Sequence, residues 1–302
     1  MKRTAFISIV GRPNVGKSTL LNSILGEKIA IVSSKPQTTR NRISGIYTKN
    51  EDQIIFIDTP GFQKPRTKLG EYMLTASTSS ISSSDAVLLI ADVNYPLGEI
   101  EKNIIEKIKA LKLPSILVLN KIDMSTPEKI AQSISEYDAY YKFDAVVPIS
   151  ASKGQAVNAV IEECSKFLTE SEWFFPDDII TDQPERTIVA ETIREKILRT
   201  LSDEIPHGTA VVIEEFKDCG NIIRIRAEIY CEKSSHKGII IGKNGETLKR
   251  IGAYAREDLE RFFGVKIYLN LWVKVKEKWR DNSINLNNLG YNIKEFEWQI
   301  SK

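Results

Sequence analysis

The residues Gly11-Arg12-Pro13-Asn14-Val15-Gly16-Lys17-Ser18-Thr19 have types and spacing that suit one chemistry, the binding of a triphosphate. Gly11 and Gly16 let the backbone curl with its N–H groups turned inward, where side chains would obstruct an anion. Lys17 brings a cation to the β- and γ-phosphates, and the Ser18 hydroxyl is placed to ligate Mg2+. A glycine-rich turn by itself is commonplace, so the flanks decide. Residues 5–10 form a β-rich run without a breaker, and Leu20, Leu21, Ile24 and Leu25 recur behind the loop at helical spacing. A strand, a glycine loop and a helix offering the positive end of its dipole complete the phosphate site. Gly11, Asn14, Val15, Gly16, Lys17, Ser18 and Thr19 are its candidate contacts.

Four further segments fit the same nucleotide. The loop around Pro36 ends in Thr38-Thr39-Arg40, and either threonine has the chemistry to complete Mg2+ coordination when a γ-phosphate is present. Residues 53–58 read as a buried strand that ends in Asp58, a metal-supporting carboxylate, followed by Thr59-Pro60-Gly61. Gly61 can bring its N–H to the γ-phosphate, and losing that phosphate would release the segment, as in a switch. Asn120-Lys121-Ile122-Asp123 opens from another apolar strand. The Asp123 carboxylate can accept from the ring N–H and exocyclic amine of guanine, whereas adenine would leave it unpaired. In the turn Ser150-Ala151-Ser152-Lys153, with Ser150 and Ala151 as the candidate contacts, a backbone N–H is expected to meet the guanine carbonyl.

Holding these groups together calls for an α/β domain, a mostly parallel sheet flanked by helices, over residues 1–172. Strands are expected at 43–48, 53–58, 86–91, 115–119 and 146–149, with helices including 99–111 and 157–168. Residues 173–186 carry two prolines, acids and aromatics, and read as a linker that packs back on a domain. From Thr187 an α-β-β-α-α-β order is expected, and Gly242-Lys243-Asn244-Gly245 sits between its last two helices. Such a loop lets a nucleic-acid backbone pass against bare glycines while an apolar groove receives bases. Lys243, Lys249, Arg250, Lys274, Lys276 and Arg280 are the candidate phosphate contacts. They lie in the 233–280 stretch, which holds 12 basic and 5 acidic residues, although the whole chain carries only +2. Trp272 and Trp279 lie among these cations and could stack bases, but Trp272, in mid-strand, is expected in the core.

At 302 residues two domains are the natural division, and a 42% hydrophobic, 27% charged composition is that of an ordinary globular chain. Cys164, Cys219 and Cys231 have no metal-ligand spacing and read as reduced thiols, and His207 and His236 are isolated. No apolar run approaches the ~18 residues of a membrane span, and a cytoplasmic location is expected.

In their order, the five segments resemble the motifs of translation-factor-type GTPases, and the second half resembles a type II KH domain, an α+β RNA-binding fold. A GTPase domain of this motif set followed by one KH domain over 187–282 is similar to the Era family of bacterial ribosome-assembly GTPases. The resemblance runs to about Asn282; residues 283–302 receive no role. It implies GTP as substrate with Mg2+, and Thr39 rather than Thr38 as the metal ligand beside Ser18 and Asp58. It also implies binding to the 3′ end of 16S ribosomal RNA and assistance in late small-subunit maturation; a monomer is expected. Peripheral contact with the inner membrane is implied too, without an anchor in this sequence. One departure from Ras-like enzymes concerns Phe62, which stands where a water-orienting glutamine would be, so slow intrinsic turnover is expected. The catalytic set is then Asn14, Lys17, Thr39 and Gly61, and the base set Asn120, Lys121, Asp123, Ser150 and Ala151, with Thr59 beside the metal. In related GTPases an asparagine at position 14 helps hold K+; an asparagine that merely shapes a tight turn is the other reading. A GTP-gated RNA chaperone whose turnover is incidental is the rival function. A tRNA-modification or membrane GTPase is a third, which the KH half argues against.

Overall fold

The computed structural model describes residues 1–292 apart from Ser34, Pro36 and Asp203; residues 293–302 of the expected tail lie outside the described residues. In the first half β1 (Arg3–Val10) leads through the glycine loop into α1 (Lys17–Leu25). The hairpin β2 (Ile43–Lys49) and β3 (Asp52–Asp58) follows, then α2 (Lys68–Ser82), β4 (Ala86–Asp92), α3 (Glu99–Leu111) and β5 (Ser115–Asn120). The half closes with α4 (Pro127–Tyr140), β6 (Ala145–Pro148), α5 (Val157–Ser165) and the two-residue β7 (Thr169–Glu170). The sheet order is β2-β3-β1-β4-β5-β6, parallel except for β2, with β7 antiparallel to the start of β1.

β4 and β5 are continuous apolar runs because both sheet faces are covered. Leu88, Ile90, Ile116 and Val118 pack toward α1 and α5, while Val87, Leu89, Leu117 and Leu119 pack toward Ile104, Ile105 and Ile108 of α3. Thus each carboxyl end that carries chemistry, at Asp58 and Asn120, is fixed by strands buried on both sides.

The linker does pack back. Gln53 is fully buried; its Oε1 accepts from the N–H groups of Phe174 (3.0 Å) and Phe175 (3.1 Å), and its Nε2 donates to the Phe175 carbonyl (2.9 Å). Farther on, the Ile46 N–H donates to the Ile180 carbonyl and the Thr181 hydroxyl to the Ser44 carbonyl, which covers the open edge of β2.

The second half starts with α6 (Glu185–Thr200), two residues before the expected start, followed by β8 (Ala210–Asp218), β9 (Ile222–Cys231), α7 (Ser234–Ile241), α8 (Glu246–Phe263) and β10 (Lys266–Val275). The sheet order is β10-β9-β8, with β10 parallel to β9. Ile251, Ala255 and Leu259, one turn apart on α8, bury against Ile223, Ile225 and Ile229. A short helix, α9 (Ser283–Asn288), lies in the segment that received no role. With Trp279, its Leu286 and the following Leu289 and Tyr291 pack on Leu69, Tyr72 and Met73 of α2, so this segment joins the two halves.

The expectation for Trp272 is corrected. Odd-numbered residues of β10 face the helices and even-numbered ones face out, leaving Trp272 57% exposed. Trp279 is instead the fully buried indole, its Nε1–H donating to the Gly208 carbonyl at 2.9 Å. No helix among the described residues is long and apolar enough to cross a membrane.

Gln53→Ala strands three linker backbone groups at once. Urea denaturation should register a loss of about 1–3 kcal/mol, with faster amide exchange at Phe174 and Phe175.

Candidate nucleotide site and nucleic-acid face

The glycine loop closes against its neighbours without room for side chains. A Cβ on Gly16 would sit 2.2 Å from Nδ2 of Asn120, and the backbone there is left-handed at φ +104°. A Cβ on Gly61 would lie 2.6 Å from the Pro13 nitrogen, so the segment after β3 rests directly on the loop; the Phe62 N–H donates to the Gly11 carbonyl at 3.0 Å. Asn14 lies in the same cleft with φ +64°.

Lys17 Nζ donates back to the carbonyls of Arg12 (2.8 Å) and Gly11 (3.3 Å). Burial pulls its pKa down to about 8, against the attraction of Asp58. The Ser18 hydroxyl donates to Asp58 Oδ2 at 2.5 Å and lies 2.8 Å from Thr39 Oγ1, which reaches the same carboxylate oxygen at 3.4 Å. Burial raises the Asp58 pKa to about 6, although Lys17, Ser18, Thr39 and the Thr59 backbone oppose the shift. Asp58 Oδ1 is buried with no hydrogen-bond partner. Among the described residues no three His, Cys, Asp or Glu side chains gather as a metal site. Two hydroxyls converging on a half-satisfied carboxylate are hard oxygen donors, which fit a small divalent cation. Between the two threonines the geometry is unequal, because the Thr38 hydroxyl donates to the Lys35 carbonyl at 2.6 Å. Thr59 is turned away too, donating to the Ile9 carbonyl at 2.8 Å.

At the other end of the cleft Asn120 is a buried strut. Its Nδ2 donates to the Val15 carbonyl at 2.7 Å and its Oδ1 accepts from the Ala151 N–H at 3.0 Å. The Ser150 N–H donates to the Gln155 carbonyl, so the first two N–H groups of the turn are both taken by the protein itself. Ser152 of the same turn and Met124, which no motif marks, line the cleft with Asp123 and Lys121. The direction of a loop N–H is set by tertiary packing. Lys121, with left-handed backbone, pairs with Asp92 at 2.8 Å.

The candidate nucleic-acid residues separate into groups. Lys243 and Asn244 are exposed at the tip between Gly242 and Gly245, and Lys249 and Arg250 are exposed in the first two turns of α8. Lys274 and Lys276 belong to the outer face of the sheet, paired with Glu228 and set over the Tyr230 ring respectively. Arg280 is held by Glu232 beside the segment that carries Trp279.

No motif marks Arg40 for a role of its own, yet it is the residue through which the halves meet. It is fully buried, donating to the carbonyls of Thr209 (2.6 Å) and His207 (2.8 Å) and to the Tyr291 hydroxyl (3.3 Å), with Trp279 5.7 Å away. α6 holds the preceding loop. Glu195 accepts from the Val32 N–H and pairs with Lys28, Arg199 donates to the Val32 carbonyl, and Arg194 donates to the Thr38 carbonyl.

The family model described as 50S ribosome-binding GTPase matches residues 6–121, and that described as KH domain matches 204–280. GTPase Era of Clostridioides difficile is 51% identical over 297 residues, covering 97% of this chain and 100% of the relative. GTPase Era of Ruminiclostridium cellulolyticum is 49% identical over 290 residues, covering 96% and 97%. A crystal structure of Era in complex with MgGDPNP and nucleotides 1506–1542 of 16S ribosomal RNA superposes with a TM-score of 0.93 at 39% identity, covering 97% of this chain and 100% of that one. A single-residue variant of Aquifex aeolicus Era bound to GDP·AlF4− also gives 0.93 at 39%, covering 96% and 99%. A phosphate loop, a guanine-type base end and a KH fold in one chain, in a sequence half identical to these relatives along nearly its whole length, make it a GTPase of the Era family.

Proposed function

We propose that this GTPase is a switch that binds the 3′ end of 16S ribosomal RNA in its GTP·Mg2+ state, assists maturation of the small subunit in the cytoplasm, and lets go after hydrolysis. One observation carries the reading. Thr39 stands among the candidate metal ligands, and the next residue, Arg40, is buried between the KH domain and the closing segment. A backbone that shifts at Thr39 on loss of the γ-phosphate therefore disturbs the seat of the RNA-binding domain. A relative crystallised with MgGDPNP and 16S RNA supports this use of the two halves.

In this reading Ser18 and Thr39 hold Mg2+, with Asp58 behind them. The metal supplies positive charge against the phosphates. Lys17, with the N–H groups of the glycine loop and of Gly61, carries the rest of that charge. Asp123 reads guanine, Asn120 keeps the base loop on the phosphate loop, and Lys243, Lys249 and Arg250 take RNA phosphates. Phe62 is buried in the core under α3 and has no donor or acceptor with which to orient water, which favours slow turnover and keeps the incidental-hydrolysis rival in play. RNA-stimulated turnover separates the two; a rate unchanged by small-subunit RNA supports the rival.

Proton exchange on binding should change sign with pH. Asp58, protonated in the free protein below about pH 6, must lose its proton to support the metal, so binding GTP·Mg2+ releases protons there. Lys17, partly neutral above about pH 8, is recharged by the phosphates, so binding takes protons up. Calorimetry in buffers of differing ionisation heat measures both, and Asp58→Asn should abolish the release alone.

Arg40→Met keeps an apolar stem against Trp279 but removes the guanidinium. GTP affinity should stay within about threefold, while the ratio of RNA affinities with GTP analogue and GDP falls toward one, read by fluorescence anisotropy on a folded variant. A wild-type ratio would exclude this route of coupling.

We assign Asn14 the K+-supporting role. Replacing Na+ by K+ should speed turnover several-fold in wild type and leave Asn14→Ala unchanged; equal wild-type rates in both salts rule the role out.

A further inference from the structure

The outer face of the KH sheet has features that the loop at 242–245 does not account for. On β10, Lys266, Tyr268, Asn270, Trp272 and Lys274 alternate outward, and Tyr268 and Trp272 are 58% and 57% exposed. The register sets Tyr268 beside Arg224, which in turn faces Lys217, and Asn270 beside Arg226. Among the described residues Lys217, Arg224, Arg226 and Lys266 are exposed and make no ion pair, although Arg226 stands opposite Glu215 on β8 and close enough to Glu228 to act on its charge. Trp272 lies beside Glu228, whose charge is covered by Lys274 at 2.5 Å; that hydrogen bond holds its pKa below the ordinary carboxylate value although burial opposes it. Glu214 and Glu215 on β8 are the other acids near this face, and cations outnumber carboxylates.

Two half-exposed rings on one strand, four residues and roughly 13 Å apart, with arginines alongside and an amide between, form a stacking surface with its own phosphate ligands. The apolar area is two separated rings rather than a continuous patch, which suits flat bases better than a protein core. The surface also lies close to the 242–245 loop, because α7 and α8, which flank that loop, pack against the inner side of β10, an edge strand. An RNA strand running from that loop over the edge would meet these rings.

We propose that the outer face of the β8–β10 sheet is a second RNA subsite. Tyr268 and Trp272 stack two unpaired bases, and Arg224, Arg226 and Lys266 hold the neighbouring phosphates. The proposal rests on the RNA-binding reading given above and extends the footprint beyond the four or so nucleotides that a KH loop clamps.

The test uses the full chain with GTP analogue and two single-stranded RNAs from the small-subunit 3′ end, one of about five nucleotides and one of about fifteen. Tyr268→Ser/Trp272→Ser should bind the short RNA as wild type does and lose roughly tenfold per ring on the long one. Tyr268→Phe/Trp272→Phe should restore most of that loss. Arg224→Gln/Arg226→Gln should weaken the long RNA and flatten its salt dependence. The thermal midpoint of each variant should match wild type, since all four side chains are exposed; if the serine pair melts early, the arginine pair decides. Serine variants that bind both RNAs like wild type overturn the subsite, and equal loss on both lengths overturns its independence from the groove. Unchanged binding to both RNAs with lost binding to intact small subunits would make the partner a protein and overturn the RNA assignment. A wild type that binds neither RNA refutes the RNA-binding reading itself, which separates that failure from failure of the subsite.

Discussion

Burying a guanidinium costs the hydrogen bonds it made to water, and Arg40 recovers those of its two terminal nitrogens without a carboxylate, while its Nε–H is left buried and unpartnered. Its hydrogen-bond partners are two carbonyls of the turn before β8 and the hydroxyl of Tyr291, beside the Trp279 ring. Burial pushes its pKa down, and the neighbouring Arg194 adds to the shift. These partners come from separated parts of the chain, so none is sufficient alone. The turn at 206–209 supplies the carbonyls, and Trp279 and Tyr291 stack as a lid whose other side rests on α2. Moving the loop away from this seat would leave a buried guanidinium short of acceptors, which is costly.

The nucleotide cleft has a related tension. Lys17 and Asp58 are both buried, and burial disfavours the charged form of each. Hydroxyls from Ser18 and Thr39 only partly compensate Asp58, and carbonyls of the glycine loop hold Lys17 in waiting. Phosphates and a divalent cation bring the charges that each lacks. In the proposed switch this would link ligand binding to the position of Thr39, and the neighbouring Arg40, seated against the second domain, would carry that position across.

The phosphate loop, the base motif and the succession of strands and helices along the chain were legible in the sequence because each depends on local pattern: glycine spacing, apolar runs, a polar residue at a strand end. Thr39 could be preferred over Thr38 only through family resemblance, since the turn that diverts the Thr38 hydroxyl to Lys35 is invisible in composition. Trp272 was misplaced despite a clear signal. Ile267, Leu269, Leu271 and Val273 alternate with Tyr268, Asn270, Trp272 and Lys274, which puts the indole on the polar face; its size argued for burial and the period argued against. Arg40 and the closing segment were beyond reach for another reason. Their partners lie well over a hundred residues away, and nothing in Asn-Leu-Asn-Asn-Leu-Gly-Tyr announces a surface that will receive them.

The linker also sets how far the domains can travel. It is moored along β2 as far as Thr181, and α6 begins at Glu185, leaving Asp182, Gln183 and Pro184 as the slack. Four Cα steps span at most roughly 14 Å, and Pro184 stiffens the last of them. While the mooring holds, the RNA-binding domain is on a short leash: it can pivot about the β2 edge, but it cannot drift away from it. A larger excursion would have to peel the linker from β2 and uncover the buried amide of Gln53, so the leash also sets a mechanical stop for the switch.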